Sequence, residues 1–412
     1  MDVARLPGDS SLALLREGYL FGHRRFERLG TDAFRTRLMA RPVLLLRGAA
    51  AARFFYEDER FTRESAMPRS VLHSLQDEGS VQTLAGGAHR ARKALFLEAL
   101  DGEGEVALTQ AFESAWDAAS AHRRPGDVER VLESTSETLT RAVLAWLGIS
   151  ATSDDVRART GEMTAMIDGA GSFAWRNGRG RALRRRSEAW ARGVVTRASP
   201  TSSRPLRIIA DAGLDPDTAA VELLNLVRPT VAVARFIAFG ALALHRHPEW
   251  REPVVRDDTM LAAFCDEVRR TTPLFPIVGG TAARGLEWRE ARIAPGDWVV
   301  LDLFATNRHP REWHEAWRFD PAQQLPETDA APGELPPLPV GHPAVVPQGA
   351  GPMETGHRCP GEPATRSLLA VAVRRLAEEA WSVPNQDLRV DLSRLPARPG
   401  APGITVRWEA PR

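Results

Sequence analysis

The chain has 412 residues, and its 54 basic side chains are almost balanced by 53 acidic ones, which leaves a net charge of +1. Such a balance provides no long-range attraction to nucleic acid or to an anionic membrane surface, so we expect neither partner. Two cysteines, Cys265 and Cys359, exclude the disulfide framework of small secreted proteins. The first twenty residues lack a basic segment followed by an apolar one, and we therefore expect a cytoplasmic protein.

Apolar residues three and four positions apart predict helices along most of the chain, and shorter apolar runs predict a few strands. The predicted helices lie within 105–149, 151–168, 181–198, 217–247, 257–272 and 362–380. The predicted strands lie within 41–48, 286–304 and 403–409. The sequence therefore predicts a mainly α protein with minor β structure.

The segment 326–347 is rich in proline and cannot form a regular element. As a linker it would leave about 65 residues beyond it, which is few for an independent core. We therefore expect a single domain over 1–412, with this segment on its surface. The arginine-rich stretch 176–190 is interpreted as a solvated helix face.

The longest apolar run, 223–244, has helical length but is interrupted by Asn225, Arg228 and Arg235. Because polar and charged residues are costly in a bilayer, we expect a buried core helix and no membrane anchor. Pro229 removes a backbone N–H, and we expect it to loosen the helix at the carbonyl of Asn225. The buried guanidinium of Arg228 needs a partner, and a carboxylate can meet it with two hydrogen bonds.

Cys359 lies in a glycine-rich loop, PQGAGPMETGHRCPGE, with Pro360 expected to start the helix that follows. A helix N-terminus and backbone N–H groups favour a thiolate, so we expect a lowered thiol pKa. A thiolate in this setting is a metal ligand, or a nucleophile for which His342 or His357 would supply the base. A zinc site is not predicted, because no further cysteine or histidine stands nearby at ligand spacing.

The motif GHRCPGE in this setting resembles the haem-binding loop of the cytochrome P-450 superfamily. The resemblance implies a haem b cofactor with Cys359 as the axial ligand of its iron. The superfamily also carries a Glu-x-x-Arg pair on an upstream helix, which Glu267 and Arg270 match. The resemblance covers nearly the whole chain and implies the single-domain fold of the superfamily, with haem between the long central helix and the helix after the cysteine loop.

The central helix lacks the acid–alcohol motif of oxygen-using members, and NLVRPTVAVARF resembles the fatty-acid peroxygenase branch instead. The resemblance implies that Arg228 binds the carboxylate of a medium- or long-chain fatty acid above the haem, beside Pro229. It also implies that H2O2 is the oxidant, that no redox partner is obligatory, and that the substrate carboxylate serves as base and acid. The expected products are fatty acids hydroxylated at Cα or Cβ, or a terminal alkene formed by decarboxylation.

Residues 59–100 are also similar to this branch, and the likeness places Arg63, His89 and Lys93 at the haem propionates. This accounts for Lys93, which is the single lysine of the chain. Gln82 resembles a position where hydroxylating members have glutamine and a decarboxylating member has histidine. Because glutamine has no titratable proton, we expect Gln82 to act with the catalytic arginine in favour of hydroxylation.

Two departures from the branch carry expectations of their own. The triplet Leu75, Gln76 and Asp77 replaces a common Leu-Phe-Gly, which predicts a wetter substrate pocket. The segment 319–325 lacks the arginine that commonly joins the Glu-x-x-Arg pair, and we expect Gln323 to substitute for it by hydrogen bonding.

Two other functions stay open. One is a conventional cytochrome P-450 monooxygenase that oxidises a small molecule with electrons from redox partners. The other is a haem protein that binds or senses a ligand without turnover. The missing acid–alcohol motif argues against the first function, and a carboxylate-binding arginine above an axial thiolate argues against the second.

Overall fold

The structure is a computed structural model that describes residues 3–57, 59–64, 66, 79–170, 175–325, 342–400 and 403–410. It is mainly helical with minor sheet, which confirms the predicted fold class. The described helices are α1 (Ser11–Glu17), α2 (Leu20–Leu29), α3 (Ala49–Tyr56), α4 (Gly86–Ala99), α5 (Gly102–Ser120), α6 (Val131–Trp146), α7 (Ser153–Gly169), α8 (Trp175–Thr196), α9 (Arg204–Ala210), α10 (Pro216–Ala232), α11 (Ala234–Arg246), α12 (Arg251–Arg256), α13 (Asp258–Thr271), α14 (Leu303–Thr306) and α15 (Glu362–Glu378). The described strands are β1 (Ala33–Leu38), β2 (Arg41–Leu46), β3 (Phe61–Thr62), β4 (Val128–Arg130), β5 (Ile277–Ala282), β6 (Leu286–Trp288), β7 (Ala291–Ile293), β8 (Trp298–Asp302), β9 (Trp381–Ser382) and β10 (Thr405–Trp408).

The predicted helical region 105–149 consists of two helices, because Pro125 and Gly126 break the period between α5 and α6. Strand β4 occupies the end of this break and pairs with β10 near the C-terminus. Of the proline-rich segment, residues 342–347 are irregular, and 326–341 lie outside the described residues.

The largest sheet has five strands in the order β1-β2-β8-β5-β3. Strand β2 pairs antiparallel with β1 and parallel with β8, so that Leu44 lies between Arg35 and Val299. All five residues of β8 are buried, as expected for a central strand whose two faces are covered. The sheet places Gly279 of β5 beside the residues that follow β3, among them Arg63.

The stretch Pro216–Arg246 is long and apolar enough to cross a membrane, with a mean hydropathy of 1.5, but 78% of its most apolar window is buried inside the protein. It forms the core helix of the fold, α10 followed by α11. Gly240 of α11 lies so close to α15 that an added Cβ would meet the Val373 side chain at 3.3 Å. The core helix therefore packs on the helix that follows the cysteine loop.

The core helix is interrupted at Val233, one turn after Pro229. Helix α10 continues through Pro229, and the N–H of Val233 then donates to the carbonyl of Thr230 at 3.2 Å. The proline ring crowds the preceding turn, and the helix relaxes one turn later, where a tighter 3₁₀-type bond replaces the α-helical one. Because Pro229 has no N–H to donate to the carbonyl of Asn225, the loosening expected at that carbonyl stays a prediction, and the interruption at Val233 is a separate feature.

Candidate active site

Two glycines and Tyr56 shape the loop that carries Cys359. Gly349 (φ 96°) and Gly351 (φ 77°) adopt the left-handed backbone that favours glycine. An added Cβ at either position would lie 2.9 to 3.0 Å from Tyr56. The N–H of Cys359 donates to the carbonyl of Gln348 at 2.9 Å and closes the loop.

The helix after the loop, α15, begins at the first residue of the predicted range 362–380, and not at Pro360. It begins at Glu362, with Gly361 as its N-cap and Pro363 in its first turn. Pro360 lies before the cap, so the expectation that it starts the helix is wrong. The second proline takes that role, because the first turn of a helix needs no N–H from the residues that begin it.

The thiol of Cys359 departs from our expectation of a lowered pKa. Burial raises the pKa of this thiol and outweighs the stabilising N–H of Gly361, the charge of Lys93 and the side chain of Gln348. The helix N-terminus alone therefore does not produce a free thiolate. A metal ion bound to the sulfur would deprotonate it, so Cys359 suits a metal ligand better than an independent nucleophile.

The surroundings of Cys359 fit a metal ion that is part of a cofactor. Within the part of the chain that the structure describes, no group of three or more His, Cys, Asp or Glu side chains is placed to hold a metal ion. A metal held by one cysteine therefore needs its other ligands from the cofactor, as the iron of haem does.

Behind the loop, α13 and α15 are joined by a buried charged network. Arg269 donates to Asp266 at 2.7 Å, to Glu362 and, at 3.2 Å, to the amide oxygen of Gln348. Glu362 also accepts from Arg358, which precedes the cysteine, at 2.6 Å. Carboxylates thus hold the loop from this side.

The predicted Glu-x-x-Arg pair is completely buried, and Arg270 donates two hydrogen bonds to Glu267, at 2.6 and 2.7 Å. Arg270 also donates to three backbone carbonyls, those of Asn307, Ala316 and Arg318. The missing arginine is replaced by Gln324, whose side-chain nitrogen donates to Glu267 at 2.8 Å. The expectation for Gln323 is wrong by one residue, since the 3₁₀ turn Pro321–Gln324 presents the later glutamine and leaves the Gln323 oxygen without a partner among the described residues.

In front of the loop, α4 presents two of the predicted cofactor-binding residues, His89 and Lys93, one turn apart. The ammonium of Lys93 donates to the backbone carbonyl of Gly356 and, at 2.7 Å, to that of Arg358. The ring of His89 stacks on that of His357 with centroids 3.9 Å apart. Both residues therefore contact the cysteine loop.

Arg63 is buried beside the same loop, on the chain that follows β3. Its guanidinium donates to the carbonyl of Gly279 at 2.7 Å and lies over the rings of Phe55 and Tyr56, at 4.5 and 5.1 Å from their centroids. Tyr56 is the residue on which the glycines of the cysteine loop pack, so Arg63 and the loop share a neighbour.

The electrostatics of these three residues fit a ligand with carboxylates. Burial lowers the pKa of Lys93 to about 8, and burial with the charges of Lys93 and Arg63 lowers the pKa of His89 to about 4. Among the described residues, neither Arg63 nor Lys93 forms an ion pair with a carboxylate. Buried cations without an ion-pair partner suit the two propionates of haem, because each propionate would supply a negatively charged hydrogen-bond acceptor.

The predicted substrate-binding residues form a second group. Arg228 donates to the side-chain oxygen of Asn225 at 2.7 Å, and the Asn225 amide nitrogen lies 3.4 Å from the side-chain oxygen of Gln82. The same Gln82 oxygen accepts from the Ser80 hydroxyl at 2.8 Å. The structure thus brings together two residues, Arg228 and Gln82, that are 146 positions apart in the chain.

Pro229 differs from its neighbours on the core helix. Residues 222–228 are buried, whereas Pro229 is exposed. A ligand can therefore contact the core helix at this turn, directly beside Arg228. The triplet at 75–77, which bears on the polarity of the substrate pocket, lies outside the described residues.

Sequence reasoning missed Glu222 and treated Asn225 only as an interruption of an apolar run. Glu222 is completely buried and accepts from Asn225 at 2.8 Å and from Arg92 at 2.6 Å. The signal was present in the spacing, since Glu222, Asn225 and Arg228 follow one another at intervals of three and share a helix face.

A cysteine loop before a helix, a buried Glu-x-x-Arg pair and a long core helix in a mainly helical fold are the features of a haem-thiolate cytochrome P450. No protein-family model matches the chain. Among solved structures, the chain is 31% identical to cytochrome P450EX alpha (CYP152N1) with myristic acid, over 99% of this chain and 98% of that one, with a TM-score of 0.89. It is 36% identical to cytochrome P450SP alpha (CYP152B1) in complex with (R)-ibuprophen, over 97% and 98%, with a TM-score of 0.88. It is 26% identical to a variant of cytochrome P450 OleT in complex with arachidonic acid, over 99% and 98%, with a TM-score of 0.90.

The chain therefore belongs to the CYP152 family of cytochromes P450, the fatty-acid peroxygenase branch of the superfamily. The predicted resemblance is confirmed at both levels. Membership of the family implies a haem cofactor, in agreement with the surroundings of Cys359.

Proposed function

We propose that this protein is a haem-thiolate peroxygenase that uses H2O2 to hydroxylate medium- or long-chain fatty acids at Cα or Cβ. One observation carries the proposal: Arg228 is buried in the core helix, is linked through Asn225 to Gln82, and adjoins the exposed Pro229. Two of the related structures contain fatty acids, myristic acid and arachidonic acid. A carboxylic acid with a long apolar chain is therefore the proposed substrate.

We propose that the cofactor is haem b, with Cys359 as the ligand of its iron and Arg63, His89 and Lys93 at its propionates. The buried cations and the single cysteine described above support this assignment. When bound, haem supplies the transfer of an oxygen atom from H2O2 to a C–H bond.

In this proposal Arg228 binds the substrate carboxylate, because a guanidinium can donate two parallel hydrogen bonds to it. The fixed carboxylate holds Cα and Cβ next to Pro229, which sets the position of hydroxylation. The carboxylate also serves as base and acid towards H2O2, a task for which the core helix carries no acid–alcohol motif. Gln82 has no titratable proton and favours hydroxylation over decarboxylation.

In this proposal residues 1–412 form one domain, and the enzyme works in the cytoplasm. It needs no obligatory redox partner, because H2O2 delivers both the oxygen atom and the oxidising equivalents.

The first test is incubation of the purified haem-loaded enzyme with myristic acid and H2O2, without a reductant, followed by mass spectrometry. We expect hydroxymyristic acids substituted at Cα or Cβ, with a terminal alkene one carbon shorter as the minor product. Product formation that requires an electron-transfer chain would support a conventional monooxygenase instead. A lack of product under both conditions would support a ligand-binding or sensing protein.

The second test replaces the proposed carboxylate-binding residue. We expect R228Q to lower kcat/KM for myristic acid about 30-fold or more, because removing one partner of a buried charge pair costs about 2 to 5 kcal/mol. The matched control is R235K, which changes a buried arginine on the same core helix that pairs with Asp168. The control is expected to lower stability without a comparable loss of kcat/KM.

A further inference from the structure

We infer that Glu222 and Asn225 are positioning residues that set the orientation of Arg228, and this inference rests on the proposed function. The observation is a series of hydrogen bonds that runs from α4 into the core helix. Arg92 donates to Glu222 at 2.6 Å, Asn225 donates to Glu222 at 2.8 Å, and Arg228 donates to Asn225 at 2.7 Å. The residue proposed to bind the substrate thus belongs to a largely buried series of hydrogen bonds.

The donor and acceptor properties of these side chains allow one arrangement. A carboxylate only accepts hydrogen bonds, a guanidinium only donates them, and an amide does both. Because Glu222 accepts, Asn225 turns its amide nitrogen towards Glu222 and its oxygen towards Arg228. The reversed amide would set nitrogen against guanidinium and oxygen against carboxylate. Glu222 therefore determines which atom of Asn225 meets Arg228.

Glu222 is itself held firmly. It is completely buried, and one of its oxygens accepts both from Arg92 and, at 3.0 Å, from the backbone N–H of Val81. Val81 immediately precedes Gln82 in the chain. The same carboxylate thus positions the loop that carries Gln82 and, through Asn225, the guanidinium of the core helix.

The series also connects the two proposed binding regions. Arg92 lies on α4 between His89 and Lys93, which contact the cysteine loop. The ion pair between Arg92 and Glu222 therefore joins the helix at the cofactor to the helix at the substrate. Such a link restricts the distance between a bound carboxylate and the haem, to which reaction geometry is sensitive.

The test measures fatty-acid affinity and thermal stability in the haem-loaded enzyme. N225L removes both polar atoms at a similar side-chain volume. We expect its Kd for myristic acid, measured by calorimetry, to rise about tenfold or more, because a charge-assisted hydrogen bond that orients the guanidinium is lost. E222Q should weaken binding in the same direction, since the introduced amide needs an acceptor and turns the Asn225 nitrogen towards Arg228.

A double variant tests the direction of the hydrogen bonds. E222Q/N225D exchanges the carboxylate and the amide between the two positions and keeps the net charge. The introduced amide can then donate to the introduced carboxylate, which also accepts from Arg228. We expect E222Q alone and N225D alone each to lower the Tm by several degrees. The double variant should recover most of this loss.

The matched control is E162Q, which alters another buried glutamate that accepts from Ser187 at 2.7 Å, outside this series. It should lower the Tm and leave the Kd unchanged. The inference is overturned if N225L and E222Q keep the wild-type Kd within about twofold, or if the double variant recovers no stability. A wild-type enzyme that binds no myristic acid, or an R228Q variant with unchanged affinity, would instead contradict the proposed function, and the positioning role with it.

Discussion

The buried cations on the two sides of the loop that carries Cys359 differ in their partners. Behind the loop, Arg269 and Arg270 are buried and pair with carboxylates on α13 and α15. In front of it, Arg63 and Lys93 are buried against backbone carbonyls. The two groups of cations are similar in type and in burial, but one pairs with carboxylates and the other with backbone carbonyls.

The difference separates charges that complete the fold from charges that a ligand completes. A buried cation costs free energy unless a carboxylate or a full set of acceptors compensates it. The protein supplies that compensation behind the loop, where the cations hold helices together. In front, a cofactor with two propionates would supply it, and removal of those cations should weaken cofactor binding before it weakens the fold.

The largest expected effect lies behind the loop. E267Q should lower the free energy of unfolding by about 3 to 5 kcal/mol, because it leaves Arg270 as a buried charge without its carboxylate. Denaturant unfolding measures the change. E252Q, which alters an exposed pair with Arg256, should change stability by about 0.5 kcal/mol or less. Equal effects of the two substitutions would contradict the stabilising role of the buried pair.

Asp302 is a buried carboxyl that caps α14. Burial raises the pKa of Asp302 to about 7, and the charges of Arg47 and Arg308 offset this only in part. The folded state therefore binds a proton that the unfolded state releases between about pH 4 and 7, and this group's contribution to stability falls as pH rises through that window.

D302N should abolish this contribution while its amide oxygen still caps the N–H of Ala305. Its stability relative to wild type should rise by up to about 4 kcal/mol between pH 4 and pH 7, with no further change above. Urea unfolding at a series of pH values measures the gap. D215N, at the exposed N-cap of α10, serves as the control: the hydrogen bond from the Thr218 side chain lowers the pKa of Asp215, so the stability of D215N relative to wild type should not rise with pH. A gap of D302N that is constant with pH would contradict the prediction.

A smaller effect is expected in front of the loop. K93M should keep or raise the stability of the protein without haem, because it removes a buried cation that forms no ion pair with a carboxylate among the described residues. Haem should dissociate about 10- to 100-fold faster, as expected for the loss of one charge-assisted hydrogen bond. Transfer of haem to an acceptor protein measures the rate. R90M, an exposed position on the same helix, is the control, and equal rates for the two variants would contradict the prediction.

The smallest effect concerns Gln82. Q82H should shift the product ratio from hydroxy acid towards alkene by a few-fold, or about 1 kcal/mol between two competing barriers, because histidine adds a titratable proton near the substrate. Mass spectrometry of both products gives the ratio. Q82N keeps a neutral amide and should retain the wild-type ratio, whereas a shift of the same size in Q82N would assign the effect to side-chain length.

Much of the fold could be predicted because its signals are local. Apolar spacing predicts the helices at 151–168 and 257–272, and the structure has them at Ser153–Gly169 and Asp258–Thr271. The loop around Cys359 was identified from its glycines and from the helix after it, features that lie within twenty residues. Such patterns can be recognised from the sequence, because they depend on residues that are close together in the chain.

The errors arise where a residue depends on a distant segment. The expectation for Gln323 is wrong because a turn of the chain decides which side chain faces Glu267, which lies 57 positions before Gln324, the glutamine that binds it. The pKa of Cys359 was expected to fall, but burial by the folded chain raises it. Composition and spacing carry no record of either effect.

The sequence by itself determined the helical class, the cysteine loop and the candidate residues Arg228, Arg63 and Lys93. Short motifs and helical periodicity involve residues that are close together in the chain, so they can be recognised without the folded structure. The tertiary structure alone decided their partners. Glu222 meets the backbone of Val81 across 141 positions, a contact that exists only after the helices have packed. Burial and hydrogen-bond partners are properties of the packed chain, and they convert a motif into a site.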